Sequence, residues 1–567
     1  MELSAIFHRT SREFVIPTSV NTINLKLLCK RNDLDKISIC FWKRNFKENY
    51  IIKELELYCS DFYRDDYRIT LELEERGHYL QYFFILQKGD EKQYFFSEGF
   101  STNPPNKGWF EYPYTNTNEI LSPPIWAKGA IYYQIFPDRF AKDKNKKDTN
   151  YANWNDTPTT QNYFGGTLKG IEENLNYLSD LGVEAIYLNP IFKANFNHKY
   201  ATTDYYKIDP TFGNENDLKD LVISCHKKNI KVILDGVFNH VGVDFMQFKE
   251  FRLNNKNADW FFPLDKINPI SKVNYECVGD YPPMPKLKTS TKEVREYILD
   301  IMLYWVKNCD IDGWRFDVAD EIDITTMQYL RLMFKEQYPN CLLLGEVWGD
   351  GVKNVIAADQ LDCIMNYQFR SATLDLFAKQ SINCISFQDR INHVLSCYHN
   401  EINLCNFNLL SSHDVPRLLT ECNKNLLNFH LALCFQMTFI GSPSIYYGDE
   451  NNMEGENDPY CRATMNFNNK NETYILMKKL IKLKKEYSSL KSGNFKFIKD
   501  FSEENTFAFK RFDETNSTIV IFNLSNKLLE NNRFDTQLFS YPKSKDSKII
   551  SPKSMNIFLI KEECNEN

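Results

Sequence analysis

Between residues 130 and 487 the chain changes its hydrophobic period repeatedly, and that alternation limits the fold more than any other feature. Runs that read as buried strands fall at 130–136, 184–189, 231–238, 313–318, 342–347, 363–367, 407–411 and 444–447, rich in Ile, Val, Leu, Tyr and Phe. Between them lie stretches with apolar residues three and four apart, such as 170–181, which Gly182 stops as a helix end, 216–228 and 473–487. A parallel strand pair needs a long crossover, and an amphipathic helix supplies it, so this alternation predicts a parallel sheet. Eight such units are the number that closes a (β/α)8 barrel, where an open sheet uses fewer. In such a barrel chemistry belongs at the C-terminal ends of the strands.

The flanks have a different character. Residues 1 to about 100 read as strands at 22–29, 36–42, 67–74, 79–87 and 93–97, separated by turn signals such as Lys88-Gly89-Asp90, which predicts a β-sandwich. Pro104, Pro105, Pro113, Pro123 and Pro124 mark 101–127 as a connection over the surface. The interval 241–294, between the third and fourth barrel strands, holds WFF, NYE and PPMPK with few helical signals and reads as a subdomain inserted over the barrel mouth. Strand runs at 494–498, 506–511, 517–523 and 555–560 predict a second small sandwich. The expected division is therefore 1–121 for the N-terminal sandwich, 122–490 for the barrel and 491–567 for the C-terminal sandwich.

Charge and cysteine usage exclude several classes of function. The net charge is −7, from 68 basic and 75 acidic residues without a long single-sign block, so neither nucleic acid nor an acidic membrane surface is an expected partner. The 15 cysteines are scattered singly, with no C-x-x-C pair and no Cys/His group at zinc spacing, which predicts reduced thiols in a cytoplasmic protein and no metal centre. Charges at Glu2, His8 and Arg9 break the N-terminus before an apolar run forms, and no eighteen-residue apolar stretch follows. A secretory leader and a membrane span are thus not expected.

Chemistry-bearing residues gather at the predicted strand ends. In IDGWRFDVADEI (311–322), Arg315 and Asp317 lie two apart and share one face of a strand, while Trp314, Phe316 and Val318 point to the other. Asp235 and His240 end the third strand, Glu346 the fifth, and His413 and Asp414 the seventh. One reading is a set of ion pairs that fix strand ends; the other is a reacting centre. Arg315 beside Asp317 is expected to keep that carboxylate ionised, as a nucleophile requires. Glu346 has Leu342, Leu343, Leu344 and Trp348 as sequence neighbours, an apolar setting that favours the protonated form needed by an acid. No Ser–His–Asp order, glycine-rich phosphate loop or HExxH stretch offers another chemistry. Glycoside hydrolysis is the reaction that needs a close carboxylate pair.

DGVFNH (235–240), GWRFDVADE (313–321), GEVW (345–348) and LLSSHD (409–414) resemble, in order and spacing, the four signature regions of the α-amylase superfamily. MPKL (284–287), NDPYCR (457–462), YYQIFPDRF, YFGGTLKGI, IYLNPIF and IYYGDE look like its cyclomaltodextrinase, neopullulanase and maltogenic amylase branch. The resemblance implies Asp317 as nucleophile, Glu346 as general acid/base and Asp414 as stabiliser of the transition state. It also implies that Asp235, His240, Arg315 and His413 bind the reacting sugar and that Tyr200 stacks on it. The substrates it implies are cyclodextrins and short α-1,4-linked maltooligosaccharides, with pullulan, α-1,6 bonds and transglycosylation as extensions; it further implies a homodimer joined through the N-terminal domain. Alternatives that stay open are an exo-acting α-glucosidase or glucan transferase of the superfamily, and a carbohydrate-binding scaffold without chemistry. Some positions depart from the pattern: Ala201 stands where Asp is usual, Gly349 where His is usual, and Lys142, Lys144 and Thr167 where relatives place calcium ligands. With ammonium groups in place of hard oxygen ligands, no cofactor and no calcium is expected.

Overall fold

The computed structural model describes residues 1–144, 151–355, 359–467, 470–544 and 546–560. Its centre is an eight-stranded parallel sheet of β1 (Tyr132–Ile135), β2 (Ala185–Leu188), β3 (Lys231–Gly236), β4 (Gly313–Phe316), β5 (Leu342–Gly345), β6 (Cys363–Ile364), β7 (Phe407–Leu409) and β8 (Ser442–Tyr446). Their order, β6-β5-β4-β3-β2-β1-β8-β7, makes a ring once a parallel bridge between Met365 and Phe407 joins its two ends. All eight strands stop before their sequence runs do, where the chain bends out to form the mouth, and seven are shorter than their runs; β8 instead begins two residues before its run.

Alternation along the strands separates the two faces. Tyr132, Ala185, Ile233, Leu342, Leu344, Cys363 and Phe407 fill the interior, whereas Tyr133, Ile186, Leu188, Val232, Leu234, Trp314 and Phe316 pack under the helices. Asp235 is two beyond inward Ile233, and Arg315 is in register with both Asp235 and Leu344, so the polar side chains form the top layer of the interior. Gly313 is required for closeness: a Cβ there would sit 2.6 Å from the Leu342 carbonyl oxygen. Helices Leu168–Glu173, Leu175–Leu181, Glu215–His226, Lys292–Cys309, Ile324–Gln337, Cys384–Cys397, Leu426–Thr438 and Glu472–Glu486 surround the ring.

Two corrections concern the mouth. The run expected to continue as strand through Val318 stops at Phe316, and Val318 takes the left-handed conformation (φ 46°), which turns the chain over the barrel rim. The inserted segment also contains a helix, Met246–Asn254, held by Phe248 and Phe251 against Phe261 and Tyr275. Lys286 ties the insertion down through Asn239 Oδ1 (2.8 Å) and Glu321 Oε2 (2.5 Å), from the loops after β3 and β4.

The N-terminal region is a sandwich of two antiparallel sheets, with Ile23, Leu25, Leu27, Ile37, Ile39, Tyr82 and Phe84 between them. Phe110–Tyr114, within the stretch read as a surface connection, is a strand beside His78–Lys88. The sandwich docks on helix Cys384–Cys397: Arg31 pairs with Asp389 (2.8 Å), Asn392 Nδ2 donates to the Ser60 carbonyl (2.8 Å), and Lys26 Nζ donates to the Ser396 carbonyl (2.6 Å). The C-terminal region is a five-stranded antiparallel sheet. One face, with Phe507, Phe509 and Phe522, packs on Phe377, Phe387 and Phe435 of the barrel. Its other face, with Ala508, Ile519, Ile521 and Phe558, is covered by the ribbon Leu529–Glu530 and Ile549–Ile550.

Candidate active site

Arg315, fully buried, sits at the centre of the barrel mouth. Its Nη1 lies 2.8 Å from Asp235 Oδ1 and 2.7 Å from Asp317 Oδ1, and its Nη2 lies 2.9 Å from Glu346 Oε2. One guanidinium therefore serves three carboxylates, Asp235 paired with it in register on β3 and Asp317 and Glu346 one residue past the ends of β4 and β5. Glu346 is held by further donors: the Val318 N–H reaches Oε2 (2.9 Å), and Trp348 Nε1 donates to Oε1 (3.0 Å). These polar contacts replace the apolar setting expected from its sequence neighbours. Trp348 is stacked on Tyr367, with ring centres 4.1 Å apart.

On the other side of the mouth, Tyr187 and Tyr200 both donate to Asp235 Oδ2, at 2.5 and 2.9 Å. Tyr200 also stacks on His413 (5.3 Å, 7° between planes), and its hydroxyl is 2.5 Å from His413 Nε2. Gln134 Nε2 lies 2.9 Å from His413 Nδ1 and donates to it, leaving the imidazole proton on Nε2. From there it faces both the Tyr200 hydroxyl and Asp414 Oδ2, which is 3.0 Å away. Arg462 approaches Asp414 Oδ1 at 3.5 Å and donates through Nε to the His413 carbonyl (2.8 Å). His240 is buried, and among the described residues neither ring nitrogen has a hydrogen-bonding partner; Nε2 is 3.9 Å from Asp317 Oδ2. All eight residues singled out in the sequence thus meet at one mouth.

Burial dominates the electrostatics. It raises Asp317 well above the usual carboxylate range, and although Arg315 pulls downward, the charges of Glu346 and Asp235 push further up. The expectation that Arg315 alone would keep Asp317 ionised is corrected: the guanidinium is shared, and desolvation outweighs its part. Burial likewise raises Asp235. Asp414 is pushed up to about 7, by burial first and the Glu346 charge second. Burial lowers His240 to about 4 and His413 well below its ordinary value, so both imidazoles are neutral. Asp235, Asp317 and Asp414 are thus all harder to ionise than ordinary carboxyl groups.

Gln134, Tyr187 and Arg462 had no role assigned from sequence. The first two carry a local signal, a polar group facing inward on a buried strand; Arg462, 48 residues beyond Asp414, carries no strand or helix signal, only its place at the end of NDPYCR. Thr167 uses its hydroxyl as a helix cap, accepting from the Gly170 N–H (2.9 Å). The stretch 145–150 of the loop compared with calcium ligands lies outside the described residues. Among the described residues no cluster of three or more His, Cys, Asp or Glu side chains is arranged to hold a metal ion.

Residues 134–478 match the α-amylase catalytic domain, and residues 1–116 the N-terminal Ig-like domain of α-amylases. With the barrel and its four carboxylates, this makes the chain a glycoside hydrolase of the α-amylase family. It is 39% identical over 543 residues to a cyclomaltodextrinase of Thermoanaerobacter pseudethanolicus (strain ATCC 33223 / 39E), covering 92% of each chain. To the intracellular maltogenic amylase of Bacillus subtilis it is 33% identical over 552 residues, covering 93% of this chain and 92% of the relative. A solved cyclomaltodextrinase structure superposes with a TM-score of 0.89, at 34% identity and 95% coverage of both chains.

Proposed function

We propose that this enzyme hydrolyses α-1,4 bonds of cyclodextrins and short maltooligosaccharides with retention of anomeric configuration, Asp317 acting as nucleophile, Glu346 as general acid/base and Asp414 as transition-state stabiliser. The observation that carries the reading is the single guanidinium shared by Asp235, Asp317 and Glu346. It holds nucleophile and acid in one fixed frame. In this mechanism Glu346 protonates the glycosidic oxygen as Asp317 attacks the anomeric carbon, forming a glycosyl-enzyme. Water then attacks the anomeric carbon from the face the leaving sugar vacated, giving its proton to Glu346 and displacing the Asp317 carboxylate. As positive charge grows on the sugar ring, the ionised carboxylate of Asp414 stabilises it. His240, His413, Asp235 and Arg315 bind the sugar hydroxyls, and Tyr200 packs on the ring. The unpartnered nitrogens of His240 support this, since buried polar atoms are ordinarily paired.

Further parts of the reading are a calcium-independent enzyme, a cytoplasmic location and a homodimer formed through the N-terminal sandwich. Thr167, engaged as a cap, and Lys142 and Lys144 support the first. The similarity to an intracellular amylase supports the second, and among the described residues no helix is long and apolar enough to cross a membrane. Ile51 and Ile52, about half exposed on the edge strand Ile51–Glu54, support the third. Asp317→Asn and Glu346→Gln are each expected to lower turnover of β-cyclodextrin by at least about a thousandfold with melting intact. Comparing reducing-sugar release from β-cyclodextrin, starch and pullulan, with NMR of the first-formed anomer, tests the whole assignment. An inverted product, or a preference for starch, refutes it.

A further inference from the structure

One cluster of reactive side chains lies away from the barrel mouth, where the N-terminal sandwich docks. Cys397 is the last residue of helix Cys384–Cys397, and His393, one turn earlier, brings its Nε2 to 3.9 Å from the Cys397 Sγ. The other ring nitrogen, Nδ1, is 3.2 Å from Asp61 Oδ2, which belongs to the sandwich. Helical periodicity sets the first contact, since residues four apart share a face. Domain docking sets the second. Asp61 is itself fixed, its Oδ1 accepting from the N–H groups of Tyr63 (2.9 Å) and Arg64 (2.8 Å). Arg31 donates to the Asp61 carbonyl (2.9 Å) and pairs with Asp389, so its charge is engaged elsewhere. Lys26, on the Ser396 carbonyl, is paired with Asp66, and Arg12 and Glu13 line the narrow groove beside the thiol.

The Asp61 carboxylate holds His393 up to about 10, with the Cys397 sulfur second and burial opposing, so the ring is an imidazolium at neutral pH. His393 is thus the cation set against this sulfur at the end of the helix. A sulfur beside an imidazolium that a carboxylate orients is the arrangement of a nucleophilic cysteine. Of the described cysteines only Cys277 and Cys397 are more than slightly exposed, and burial pushes the Cys277 thiol up.

We propose that Cys397, with His393 and Asp61, is a thiol-modification site that takes low-molecular-weight disulfides and forms a mixed disulfide at the seam between the N-terminal domain and the barrel. Sγ attacks one sulfur of the small disulfide; the new S–S bond forms as the old one breaks. The departing thiolate carries the electron pair away and takes up the proton that Cys397 gave. Cys397 is oxidised and half of the small disulfide is reduced, and a second small thiol reverses the exchange.

The test is brief exposure of the full-length protein to oxidised glutathione, followed by mass-spectrometric mapping of every cysteine peptide, Cys564 included. Cys397 is expected to react at least about tenfold faster than Cys277, and His393→Ala and Asp61→Asn are each expected to slow it about tenfold while leaving Cys277 unchanged. Loosening of the seam without loss of activation would speed labelling, so the direction separates the two effects; melting curves verify that each variant folds. Cys397 reacting no faster than Cys277, or equally fast in both variants, overturns the proposal.

Discussion

Replacing Asp414 by Asn should make the empty enzyme more stable in alkaline solution while reducing its activity. The carboxyl is raised from its usual 3.8 to about 7. A raised carboxyl binds more protons in the folded than in the unfolded chain, so its contribution to stability falls as pH rises between the two values. The cost is fully present above about pH 7 and vanishes as pH falls towards 4. A shift of about three units is worth about 4 kcal/mol at 1.36 kcal/mol per unit. The Asp414 side chain is 27% exposed, so solvent screening reduces this to about 2 kcal/mol. The Asn carbonyl still accepts from His413 Nε2, so little else is lost. At 2–4 °C per kcal/mol for proteins of 150–250 residues, and less for a longer chain, the variant should melt about 3 °C higher at pH 8. At pH 4.5 the two curves should nearly coincide. Differential scanning calorimetry at both pH values measures this, and turnover should fall about a hundredfold or more as an electrostatic stabiliser is removed. A variant no more stable at pH 8, or one whose advantage persists at pH 4.5, would refute the electrostatic argument.

Other substitutions probe separate parts of the reading. His240→Asn breaks no internal hydrogen bond of the ring, so melting should move by less than about 2 °C while kcat/KM for cyclodextrin falls about a hundredfold; a large melting loss with normal kinetics would make His240 structural. EDTA should leave both activity and melting unchanged, and a drop that calcium restores would show oxygen ligands supplied elsewhere. Ile51→Lys with Ile52→Asp places charge on the exposed sheet edge. Sedimentation velocity should then show a monomer with a weaker preference for cyclodextrin over starch; an unchanged species or preference would remove this edge from the interface.

The strands and their polar ends were legible because both are local patterns: Ile233 and Asp235, or Arg315 and Asp317, announce an inward face two residues at a time. What was not legible depends on distance in the chain. Gln134 fixes the His413 tautomer from 279 positions away, and Arg462 reaches Asp414 through a loop with no periodic signature. The direction of the Asp317 shift was missed for the same reason. Its neighbour Arg315 is visible in the sequence, but its other two carboxylate partners arrive from other strands. Val318 reads as an ordinary strand residue, and only the need to turn over the rim puts a β-branched side chain at positive φ.

The arrangement around Arg315 also constrains how this centre can vary. Because three acids draw on one cation, removing any of them releases attraction to the other two, so effects of paired substitutions should depart strongly from additivity. A change at Asp235 would be felt at Glu346 without any contact between them. Replacing Arg315 first would leave three buried carboxyl groups without their shared cation at once, whereas replacing an acid first leaves the others better served. The effect of each substitution at this centre therefore depends on which of the others came before it.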